Sequence, residues 1–116
     1  MNIYKLNGEI VGLVPAGFLE ENNAKSRGVL PKDYIRVDGV DPAGAWGVGV
    51  WGVEKGEFEM FFSFSEFVTI LEGRVIITHE GESHNLGPGD SFFTPKGATV
   101  HWKVLEDLRK SYLTIS

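Results

Sequence analysis

From residue 45 onward, apolar and polar positions alternate in short runs. In residues 57–64, EFEMFFSF, Phe58, Met60, Phe62 and Phe64 share one face of an extended chain. Glu57, Glu59 and Ser63 take the other face, where Phe61 is the one apolar exception. Similar runs over 46–54, 66–71, 74–78, 82–86, 91–94, 99–105 and 109–115 predict strands. Turns are expected at Lys55 with Gly56, at Glu72 with Gly73, around Gly81, at LGPGD (86–90) and at Pro95 to Gly97. Short strands cut by Gly or Pro predict an all-β sandwich or barrel.

Residues 1–40 carry no such period. Residues 3–6 are expected as a short strand and 18–27 as a helical turn or two, with Pro31, Gly39, Pro42 and Gly44 marking an irregular approach. The expected organisation is an N-terminal arm, 1–40, packing on a barrel, 41–116, or on that of a partner subunit. No internal repeat or low-complexity segment interrupts the chain.

Composition narrows the chemistry. At 116 residues the chain is one domain, with 15 glycines and eight phenylalanines suited to many strands and tight turns. It has no cysteine, which excludes disulfides, thiolate metal sites and a Cys nucleophile. A net charge of -5 with no basic stripe argues against nucleic-acid binding. No apolar run reaches membrane-spanning length, and MNIYKLNGEIVGLVPAG lacks a secretory pattern, so a cytoplasmic protein without membrane attachment is expected. GVGVWG (47–52) matches G-x-G-x-x-G, but it lies in a strand-like run and opens no helix. There is no G-x-S-x-G turn.

One position stands out against this pattern. Glu66 puts an ionisable group into a segment that otherwise reads as core, and it is the one acid expected inside. Burial among Phe62, Phe64 and Val68 strips its charged form of hydration, and such groups mark candidate sites.

Two spacings extend the reading. Glu66 is followed after six residues by Gly73, and GDSFFTPKG (89–97) runs glycine, five residues, proline, one residue, glycine. These resemble parts of the two motifs of the cupins, double-stranded β-helix or jelly-roll barrels. DPAGAWGVGVW, SEFVTILEGRVIIT, LGPGDSFFTPKG and WKVLEDLRKSY are similar to the small single-domain cupins grouped with (S)-ureidoglycine aminohydrolase and ethanolamine-utilisation protein Q, many without assigned function. The resemblance covers about residues 41–116 and implies a cupin barrel; a homodimer is expected, in which strands of the N-terminal half or the early arm pair across subunits.

The resemblance also implies where a metal would sit. Metal-binding cupins hold their ion with histidines at the positions occupied here by Met60, Phe62 and Val100, together with Glu66. With three of those four positions apolar or thioether, no metal cofactor is expected, and the manganese-dependent aminohydrolase reaction does not carry over. His101 lies one residue from the ligand position and should face outward; His79 and His84 flank the hairpin turn as surface residues.

The expected site is therefore a small-molecule pocket in the barrel with Glu66 as its polar centre and tentative acid or base. Met60, Phe62, Val100 and Trp102 would line it. On the last strand, Lys110 and Tyr112 share a face, as do Arg109 and Ser111, and either face fits inward from sequence alone. With the first pair inward, Lys110 offers Glu66 a charge partner and Tyr112 a phenol. An enzyme acting on a small nitrogenous or hydroxylated metabolite, a non-catalytic binding or accessory protein, and a metal-dependent aminohydrolase- or isomerase-like cupin with a non-standard ligand set are the functional classes left open.

Overall fold

The structure is a computed structural model that describes residues 2–116. Its elements are β1 (Val14–Pro15), α1 (Phe18–Glu21), β2 (Asp33–Val40), β3 (Trp46–Val53), β4 (Gly56–Phe61), β5 (Ser65–His79), β6 (Glu82–Leu86), β7 (Ser91–Thr94) and β8 (Thr99–Ile115). All strand pairings are antiparallel. Among the described residues, no helix is long and apolar enough to cross a membrane.

Two long strands organise the barrel. The second half of β8 lies between β3 and the first half of β5, which also pairs with β7. The first half of β8 lies between β4 and the second half of β5, which also pairs with β6. Both long strands therefore pass from one layer of the jelly roll into the other. Their alternating side chains meet in one core containing Trp51, Phe58, Met60, Phe62, Val68, Ile70, Val100, Trp102, Val104 and Tyr112.

The break expected at Glu72 and Gly73 is instead a bend within β5. The β5–β8 register shifts between Ile70 and Val75. Gly73 has φ +89°, and a Cβ there would run into the Asp107 carbonyl and lie 2.9 Å from Leu108 Cα. Glycine at positive φ here makes a bulge, which bends a strand without ending it. The last two predicted strands are likewise one, β8.

The N-terminal half also differs from expectation. No strand forms at residues 3–6, whereas 33–40, expected to be irregular, is β2, paired with β3 along a register that shifts between Val37 and Gly39. The helix is limited to α1, whose Leu19 is 1% exposed in the barrel core. The segment before β1 crosses the outer face of the sheet. There the Arg36 guanidinium donates to the carbonyls of Asn7, Glu9 and Val11, and Tyr4 packs edge-on against Trp46.

Candidate functional site

Strand alternation points Glu66 inward, and the last strand settles the face left open by sequence. Lys110 and Tyr112 face the interior. Lys110 Nζ donates to Glu66 Oε1 at 2.8 Å, and each residue is only 4% exposed. Two indole rings lie beside the ammonium: Nζ lies 4.7 Å from the Trp51 ring centroid and 4.8 Å from that of Trp102. The negative π-faces replace part of the water lost on burial, and the carboxylate neutralises the charge. Burial pushes the Lys110 amine below its ordinary value, and the attraction and hydrogen bond of Glu66 oppose that push.

The indoles are themselves fixed. Trp51 Nε1 donates to Asp33 Oδ2 at 3.0 Å, and the same oxygen accepts the backbone N–H of Phe18, at the start of α1, at 3.0 Å. Asp33 is thus a second inward carboxylate, where only Glu66 was expected. Its signal was hidden because β2 was read as irregular. Trp102 stacks on Phe58 at 5.6 Å and meets the edge of Phe92 at 5.8 Å. Its indole N–H is buried and finds no acceptor among the described residues.

Met60, Phe62 and Val100 are buried in the same core. Met60 and Val100 are direct partners in the β4–β8 register. Phe62 is held by its backbone, whose N–H donates to the Ala98 carbonyl and whose carbonyl accepts from Gly97. Their side chains supply hydrocarbon and one thioether. A divalent ion in such a barrel requires several hard or imidazole donors, and Glu66 already binds an ammonium, so these residues do not fit one. Among the described residues, no group of three or more His, Asp or Glu is placed to hold a metal ion.

A groove of about 210 Å³ opens at one end of the barrel, with Ile77, Leu86, Phe92 and Val100 as its apolar wall. His79, Glu82 and His84 stand around it. These histidines flank a hairpin but also border the groove, which their place beside a turn had concealed. Thr94 lines the groove too and is the direct cross-strand neighbour of Glu66, so the groove reaches within one side chain of the ion pair. His101 points away, where its Nε2 lies 2.6 Å from Glu57 Oε2 on the surface.

A hollow of about 440 Å³ lies on the outer face, between the N-terminal segment and the bend of the long strands. Its acids are already engaged: Glu54 with the Tyr34 hydroxyl, Asp107 with the Lys55 N–H, and Glu72 with Arg109.

Comparison with known proteins agrees with this architecture. The model of the EutQ-like cupin domain matches residues 40–112. No curated protein matches the chain. EutQ of Clostridium difficile is similar at 20% identity and TM-score 0.65, over 73% of this chain and 68% of that one. A protein of unknown function from Pseudomonas syringae pv. tomato, of the DUF861 family, is similar at 23% identity and TM-score 0.72, over 90% of this chain and 45% of that one. At these identities the likeness is one of fold. A DUF861 family protein from Thermotoga maritima shares 32% identity at TM-score 0.53, over 67% of this chain and 96% of that one. With well over half of its length matched by the family model, the chain belongs to the EutQ-like cupin domain family.

Proposed function

We propose that this chain binds a small metabolite through the mouth of its barrel without a metal, using the Glu66–Lys110 pair as the polar centre. The supporting observation is the 2.8 Å contact between the Lys110 ammonium and Glu66, the one carboxylate at the positions metal-binding cupins use. A tethered ammonium does for Glu66 what an ion would do: it neutralises the buried charge.

The donors left over suggest the ligand's chemistry. An ammonium has three N–H donors, of which Glu66 takes one, and the Trp102 N–H has no acceptor. A ligand bearing an acceptor oxygen, such as a carboxylate, carbonyl or hydroxyl, satisfies them. Its apolar part would lie on Ile77, Phe92 and Val100, and the Phe92 ring, which separates the groove from Trp102, would turn aside to admit it. Short carboxylic, hydroxy and amino acids form the panel to screen by thermal shift and calorimetry. One or more should bind the native protein and lose at least about tenfold in affinity with Lys110→Met, the cost of one charged hydrogen bond. Silence across the panel, or undiminished binding by Lys110→Met, contradicts the proposal.

A second reading makes the same pair catalytic. The downward push on Lys110 favours it, because an amine that can lose its proton beside a carboxylate can act as acid or base. If a bound molecule is converted and Glu66→Gln converts it at the native rate, this reading fails.

A further inference from the structure

We infer that Lys110 is a nucleophile that condenses with the carbonyl carbon of a small uncharged aldehyde entering through the groove at Phe92. This rests on the reading of that groove as the entrance to the ion pair, and goes beyond it in making the capture covalent. An amine held in apolar surroundings beside one carboxylate has the setting of a Schiff-base lysine. Lys110 Nζ is buried near the Trp51 and Trp102 rings, with Glu66 Oε1 at 2.8 Å. Burial pushes its amine down, toward the unprotonated form that attacks a carbonyl. The other lysines, Lys5, Lys25, Lys32, Lys55, Lys96 and Lys103, are all exposed.

Three residues link the groove to the amine. Thr94 lines the groove and pairs with Glu66 between β7 and β5. Phe92 lines it too, and its ring packs against Trp102 at 5.8 Å. The same indole lies 4.8 Å from Nζ. The Trp102 N–H is buried and has no acceptor among the described residues. It can donate to the carbonyl oxygen of an entering aldehyde and make the carbon more electrophilic.

Protons and charge balance within the pair. Glu66 takes one proton from the Lys110 ammonium along their hydrogen bond. The freed lone pair forms a C–N bond as the carbonyl π electrons move to oxygen. A proton passes from that nitrogen to the oxygen, giving a carbinolamine. Glu66 then gives its proton to the hydroxyl, the C–O bond breaks, and water leaves as C=N forms. The iminium keeps the positive charge of the ammonium, opposite the Glu66 carboxylate and beside the indoles. The pair stays neutral throughout, so no cation is left over for a ligand carboxylate and an uncharged aldehyde is favoured. Ile77, Phe92 and Val100 give its short chain an apolar wall.

The test is incubation of the full chain with butanal and sodium borohydride at neutral pH, followed by mass spectrometry and peptide mapping. Borohydride supplies the hydride that fixes C=N as a secondary amine, so each adduct adds the mass of butanal less one oxygen atom. Exposed lysines are almost fully protonated at neutral pH, so Lys110 should be labelled ahead of every other lysine, to near one adduct per chain. That precedence should vanish in urea, and the Lys110 adduct should be lost in Lys110→Met. If that variant does not fold, mapping of the native chain decides alone. Adducts confined to the exposed lysines or the N-terminal amine overturn the inference, as does a Lys110 labelled no sooner in the folded chain than in urea. Binding of the acid panel beside an unlabelled Lys110 overturns covalent capture alone. Silence in both experiments overturns the pocket reading as well.

Discussion

Lys110 on β8 and Glu66 on β5 meet inside the barrel at 2.8 Å, both almost fully buried and with tryptophan rings beside the ammonium. Burying two charges together is close to balanced, whereas burying one alone is costly. Lys110→Met or Glu66→Leu alone should therefore lower unfolding free energy by about 3–5 kcal/mol. The double variant should be more stable than either single one, and urea unfolding of the three proteins checks this. Losses that simply add would show that the two groups are not coupled.

Tyr112 should be the last phenol to ionise. Burial, with Asp38 and Glu66 adding repulsion, pushes it up to about 12 from the usual 10.0. Between those values the folded chain keeps a proton that the unfolded chain releases. This contribution to stability is complete below pH 10 and is lost as pH rises toward 12. Lys110 acts in the opposite sense: its amine is pushed down, so between its lowered value and 10.5 the unfolded chain holds more protons and stability rises with pH. Comparison with Tyr112→Phe isolates the phenol. Alkaline titration followed by phenolate absorbance should lose its highest step in that variant.

Gly73 should tolerate no side chain. At φ +89°, with the Asp107 carbonyl and Leu108 Cα against it, an added Cβ meets both backbone strain and a collision that no rotamer relieves. Gly73→Ala should cost at least about 1–3 kcal/mol, read from urea unfolding. Gly81→Ala, also at positive φ but in open space, should cost less.

His101 should be dispensable. Its bond to Glu57 is on the surface, where ion pairs contribute about 0–1 kcal/mol. His101→Ala should change stability by no more than that and leave affinity for any barrel ligand unchanged. A clear loss of affinity would move the site to the outer face.

Much of this was legible in the sequence because strand alternation is a local property. The parity of Phe58 and Met60 set the inward face of β4, and the spacing from Glu66 to Gly73 with GDSFFTPKG pointed to the barrel. Three features were hidden for physical reasons. Gly73 has the composition of a turn, but turn and bulge use the same positive φ, and only the opposing Asp107 and Leu108 decide between them. β2 draws its stability from pairing with β3, which no local pattern in DYIRVDGV reveals. Glu66 was expected inside the barrel and Lys110 was offered as a possible charge partner, and the two do meet there. The two indoles around the ammonium, and Asp33 behind Trp51, are contacts between distant strands.

The central claim is that this barrel carries its own cation in place of a metal. Elemental analysis tests it most directly, on protein purified without chelator and then dialysed against manganese or zinc and washed. Content far below one ion per chain is the expected result, unchanged in Glu66→Gln. Near one ion per chain, lost in Glu66→Gln, would contradict it.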